Sequence, residues 1–149
     1  MSRKIVALII IAAVLGAASV PLRAARSIED DIHAVLHAQQ EAWNRGDIDG
    51  FMRGYARAKS TTFVSEDSVT KGWETVRDRY RKKYSDRAKM GTLTFSDLEI
   101  TQLSADSVVV LGGWNLRRPA DQPHGRFTLI FQRLPEGWRI VHDHTSSAK

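Results

Sequence analysis

From Met90 to the C-terminus the apolar residues of this chain recur with a period of two, whereas before it they recur at helical spacing. GTLTFSDLEI (91–100), SVVVLGGWNL (107–116), GRFTLIFQRL (125–134) and GWRIVHDHTS (137–146) are four strand candidates. LSADS and LPEGW between them read as hairpin turns. RRPADQPHG (117–125) is a more open connection, because its two prolines cannot donate to a ladder. Helices followed by a meander of strands give an α+β domain of two layers. The sheet has one face to bury, and the helices supply the apolar stripes that bury it.

Those stripes can be read residue by residue. SIED (27–30) is a capping box, with Ser27 as cap and Asp30 at its third position. Ile28, Ile32, Val35, Leu36, Ala42 and Trp43 then share one helical face, while His33 and His37 fall on the opposite, solvated side. Gly46 ends this helix and Asp47 caps a second, whose stripe is Ile48, Phe51, Met52 and Tyr55. Gly50 and Gly54 each weaken that helix by roughly 1 kcal/mol relative to alanine, so packing must hold it. STTFVSEDSVTKG (60–72) reads as a short strand, a polar turn and a second extended piece. Thr70 is the candidate cap of a third helix over about 73–84, with Trp73, Val76, Tyr80 and Tyr84 along one face. Trp43 and Trp73 read as core.

The N-terminus is a separate problem. Arg3 and Lys4 precede 16 uncharged residues, Ile5 to Val20, the pattern of a secretory signal with cleavage after Ser19 or after Ala24. The run is short of the ~20 residues that cross a bilayer core, so no stable membrane span is expected after cleavage. The expectation is an exported domain over 25–149, periplasmic or secreted, or membrane-anchored if the signal is retained. Residues 1–24 carry three of the five net positive charges and no acid, which leaves 19 basic against 17 acidic side chains. A near-neutral domain has no field with which to hold nucleic acid. With no cysteine, it must be stabilised by its core alone.

Motifs for catalysis are few. There is no G-x-S-x-G turn and no glycine-rich nucleotide loop, and no cofactor is expected. Asp47, Asp97 and the tyrosines could serve an isomerase, but no spacing singles them out. The basic run RDRYRKKYSDR (77–87) reads as a solvated helix face, since its tyrosines belong to the buried stripe. Attraction to an anionic ligand or envelope surface stays open.

The last strand is the richest stretch. Strict alternation puts Trp138, Ile140, His142 and His144 on one face and Arg139, Val141 and Asp143 on the other. The two imidazoles then stand about 6.6–7 Å apart. Three readings follow. They satisfy polar atoms in the wall of the sheet, the leading one; they bind substrate or move a proton in a pocket; or, with His124 or a carboxylate, they hold a metal. No metal is assigned. Asp143, facing away, would meet Arg126, Arg139 or a second subunit. Candidate catalytic residues are His142, His144 and Arg126, and candidate pocket residues are Tyr55, Tyr80, Tyr84, Trp114 and Asn115. Phe127, Leu129 and Phe131 read as core.

EAWNRGDIDGFMRGY (41–55), FVSEDSVTKGWE (63–74), MGTLTFSDLEI (90–100) and GRFTLIFQRLPEGWRIVHDHTS (125–146) together resemble the NTF2-like superfamily, within it the SnoaL-like or DUF4440-type small proteins. WRIVHDHTS also resembles the end of the kinase association domains of that superfamily. The resemblance implies a cone: three N-terminal helices packed on a strongly curved antiparallel sheet, with a pocket at the wide end. It further implies a homodimer formed through the sheet, and a small, largely apolar ligand in the pocket. The alternatives it offers are a lyase, isomerase or hydrolase using a pocket histidine, and a non-catalytic association module. Ala56 stands where relatives usually carry tryptophan, which implies a wider or more polar rim near Tyr55.

Overall fold

The computed structural model describes residues 26–148. The signal candidate and both cleavage positions lie outside these residues. Helix α1 (Ile28–Asn44) opens on the full capping box: Ser27 Oγ accepts from the Asp30 amide, and the Asp30 carboxylate accepts from the Ser27 amide. Ile32, Leu36, Ala42 and Trp43 are buried along it, and His33 and His37 are exposed. Gln39 is the polar member of the buried face, and its Nε2 donates to the Phe51 carbonyl at 3.0 Å. Helix α2 (Ile48–Met52), capped by Asp47, is shorter than its sequence stripe. It stops before Gly54, where an added Cβ would lie 2.5 Å from the Gln39 side chain. Glycine is there for close approach rather than as a tolerated weakness.

Two short strands, β1 (Thr62–Ser65) and β2 (Ser68–Lys71), form the expected hairpin. Thr70 is not a cap: it lies in β2 and its hydroxyl accepts from Arg79 at 3.0 Å, while helix α3 (Trp73–Lys83) starts from Gly72 without a side-chain cap. A four-residue helix, α4 (Arg87–Met90), follows; its length gives periodicity nothing to detect. The meander is β3 (Thr92–Ser104), β4 (Ser107–Arg117), β5 (His124–Leu134) and β6 (Gly137–Ser147). All six strands form one sheet in the order β2-β1-β6-β5-β4-β3, antiparallel except where β1 runs parallel to β6.

Helix α1 does more than cover the sheet. Asn44 exchanges two hydrogen bonds with the Leu93 backbone, at 2.7 and 3.0 Å, and Gln40 Oε1 accepts from the Phe95 amide at 2.8 Å. Trp43 Nε1 donates to the Met90 carbonyl. These side chains satisfy the free edge of β3, which would otherwise offer unpaired groups to another chain. Val108, Val110, Phe127, Leu129, Phe131, Trp138 and Ile140 close the core against Ile32 and Leu36. Among the described residues, no helix is long and apolar enough to cross a membrane.

The last strand departs from the alternation its sequence implies. Phe131 pairs with Ile140, but Ile130 pairs with His142, so Val141 is an extra residue in β6. Such a bulge shifts the parity of every later side chain. Trp138 and Ile140 face the core as expected; beyond the bulge it is Asp143, only 4% exposed, that points inward, while His144 is exposed. His142 and His144 still share one face, but it is the outer one. The cause is a change of partner. Ile140 exchanges hydrogen bonds with Gly54 and Ala56, both at 2.9 Å, and from Thr62 onward β1 takes over the same edge.

Candidate functional site

The open end of the cone holds a cavity of about 100 Å³. Its walls are drawn from almost every element. Trp43 comes from α1, Phe51 from α2, Tyr80 and Tyr84 from α3, and Trp114, Phe127 and Leu129 from the meander. The aromatic rings meet mostly edge to face: Trp43 lies 5.1 Å from Phe51 and 4.8 Å from Tyr84, and Phe63 lies 5.7 Å from Tyr80. Contacts of this kind hold rings rigidly at little polar cost. The space suits one ring-sized group, well below the several hundred Å³ of a drug-sized pocket.

One buried acid breaks this apolar lining. Asp143 Oδ2 accepts from the Tyr55 hydroxyl and Oδ1 from Thr145 Oγ1, each at 2.7 Å. Burial pushes the Asp143 carboxyl up from its ordinary range, against the opposing pull of those two donors. Burial also pushes the Tyr55 and Tyr80 hydroxyls well up, with the Asp143 charge adding to it. Both phenols therefore stay protonated near neutrality and act as donors. A carboxylate has lone pairs beyond the two in use, so Asp143 can still accept from a ligand or take a proton in the cavity.

Of the sequence candidates, Tyr55, Tyr80, Tyr84 and Trp114 come together in this lining. Asn115 does not: β4 turns it outward, where Oδ1 accepts from Gln122. Arg126 is on the outer face of β5 and pairs with Asp97 at 2.8 Å, not with Asp143. His142 and His144 are absent from the cavity wall, as the bulge dictates, so chemistry by a pocket histidine has no basis in this geometry. His124 opposes Asn115, its Nδ1 3.2 Å from the Gln122 carbonyl. Among the described residues no three His, Asp or Glu side chains are placed to share a metal ion. Ala56 is buried and is not among the cavity-lining residues, while Arg57 lies over the Trp73 ring.

Sequence reading missed Asp143, Thr145 and Ser147, the inward residues after the bulge. No local signal marks an inserted residue in a strand. The one available hint was that small polar residues at 143, 145 and 147 alternate with the histidines. Arg79 and Lys83, within the basic run read as a solvated helix face with attraction to an anionic ligand left open, also line the cavity.

Comparison with known proteins fits this architecture. The SnoaL-like domain family matches residues 32–149. An NTF-2 like protein of unknown function from Shewanella oneidensis MR-1 is 39% identical, superposes with a TM-score of 0.76, and is covered over 98% of its length by 79% of this chain. A ketosteroid isomerase-like protein from Erwinia carotovora atroseptica SCRI1043 is 17% identical, with a TM-score of 0.63 over 80% of this chain and 95% of its own. An NTF2-like protein of unknown function from Pseudomonas putida KT2440 is 18% identical, with a TM-score of 0.64 over 79% and 84%. The last two share the fold alone. No curated protein matches the chain. By its family match and its helix-wrapped sheet, the chain belongs to the SnoaL-like family of NTF2-like domains.

Proposed function

We propose that this chain is an exported domain that binds a small, largely apolar molecule in its cone, held by the Tyr55–Asp143 pair. The observation that carries the reading is a buried carboxylate with spare acceptor capacity in the wall of a cavity lined mainly by aromatic and aliphatic side chains. Export rests on the charged and apolar pattern of residues 3–20. An apolar ring with one hydroxyl fits both the volume and the acceptor. Titration calorimetry with p-cresol is expected to give one-site binding with a dissociation constant on the order of 0.1–1 mM. Ser147→Trp, which places an indole at the exposed end of the wall, is expected to abolish it. No saturable heat with p-cresol, cyclohexanol or benzene would leave the association-module reading instead.

A second reading, proton transfer, is favoured by the raised Asp143 carboxyl, because a base held in an aromatic cavity is stronger than one in water. It would show as solvent deuterium entering the bound ligand. Pairing of two copies through the outer sheet face is proposed on separate grounds. Leu111 is 43% exposed there, on the face that also presents Val109 and Ile130. Sedimentation equilibrium is expected to find a dimer that Leu111→Arg converts to monomer; a wild-type chain that stays monomeric at the highest concentration measured would sink the idea.

A further inference from the structure

Helix α3 sorts four of its five cations in two ways; the fifth, Lys82, is exposed and outside the cavity lining. Arg77 pairs with Asp78 at 2.9 Å and Arg81 with Asp49 at 2.6 Å, both away from the cavity. Arg79 and Lys83 line the cavity, and among the described residues neither forms an ion pair. They are four apart, so they project from one side of the helix, where like charges repel. Arg79 is fixed in place: it stacks over Phe63 at 5.0 Å and donates to Thr70. Lys83 lies 5.4 Å from the Tyr84 ring centre. Among the described residues, the only carboxylate in the wall is Asp143, which already has two donors.

Burial orders these groups along the cavity. Asp143 and Tyr55 are almost fully buried, whereas Lys83 and Ser147 are exposed. The acid is thus at the inner end and Lys83 is at the mouth, with Arg79 half-buried in the wall. From this arrangement we infer that the ligand is a single-ring hydroxy acid, its hydroxyl directed inward to Asp143 and its carboxylate held outside by Arg79 and Lys83. This rests on the binding reading above and adds the ligand's charge and orientation. The reverse orientation would bring two carboxylates together in an apolar wall, which neither could tolerate ionised. A neutral ligand would leave both cations of the lining without compensation. The arginine matches a carboxylate with two parallel donors, and the lysine adds a mobile charge that can follow it.

Calorimetry with two probes of the same ring tests this. 4-Hydroxybenzoate is expected to bind wild-type protein roughly tenfold more tightly than p-cresol, an advantage of about 1.4 kcal/mol. That advantage is expected to fall to about threefold in Lys83→Gln and to vanish in Arg79→Gln/Lys83→Gln, and to shrink on going from 20 to 500 mM salt, roughly where screening shortens to a few Å. Because Arg79 also packs on Phe63, the exposed Lys83 substitution carries the test if the double variant is unstable. If p-cresol binds and 4-hydroxybenzoate binds no better, or if the advantage survives in Lys83→Gln and at high salt, the inference is overturned and the binding reading stands. If neither probe binds, both fall.

Discussion

Asp143→Ala is expected to destabilise the domain by about 2 kcal/mol, because it leaves the Tyr55 and Thr145 hydroxyls in the wall without an acceptor. Asp143→Asn keeps the shape and one acceptor oxygen, and its cost at low pH should be well under that. The pH dependence separates the two roles of the group. In the unfolded chain the carboxyl ionises in the ordinary range, near 3.8, whereas in the folded chain burial holds its proton to higher pH. Between those limits the native state binds more protons, so this group's contribution falls as pH rises and is lost above the folded value. An amide has no such titration. The stability of Asp143→Asn relative to wild type should therefore rise as pH increases from below 3.8 towards neutrality, read by urea denaturation. A difference that runs the other way would mean that the donors outweigh burial.

Gly91→Ala is expected to cost about 3 kcal/mol or more. Gly91 has φ 62° and ψ −160°, a conformation essentially confined to glycine. An added Cβ would also lie 2.5 Å from the Arg117 carbonyl oxygen. The turn cannot easily relax, because its neighbours are tied on both sides. The Met90 carbonyl accepts from Trp43, and Arg87 reaches back to the Gly91 carbonyl at 3.2 Å. Since this turn delivers β3 to the Asn44 and Gln40 side chains, its loss should loosen the edge of the sheet first. Hydrogen exchange at the Leu93 and Phe95 amides is expected to accelerate ahead of global unfolding. A melting temperature within a degree or two of wild type would show that the backbone flips at little cost.

These outcomes bear on different levels of the chain. The Asp143 comparison probes a side-chain arrangement that could be rebuilt by one amide. The Gly91 substitution probes a backbone geometry that no side chain can rescue. Neither depends on which ligand enters the cavity, so they test the scaffold independently of the function proposed for it.

Residue periodicity and turn chemistry determined the class of fold. The SIED cap, the stripe from Ile32 to Trp43, and the two-residue rhythm of 107–116 and 125–132 each follow from local preferences that tertiary packing had no reason to override. Tyr55, Tyr80, Tyr84 and Trp114 were legible as lining for the same reason: large amphipathic rings on inward stripes have nowhere else to go. What only the tertiary structure decided is the polar chemistry of the cavity. One inserted residue at Val141, set by the backbone of residues 54–56 pairing with Ile140, exchanges His142 and His144 for Asp143 and Thr145 at the wall. Alternation along a strand is a property of the local chain, but a bulge is made by its partners, and those are known only once the chain has folded.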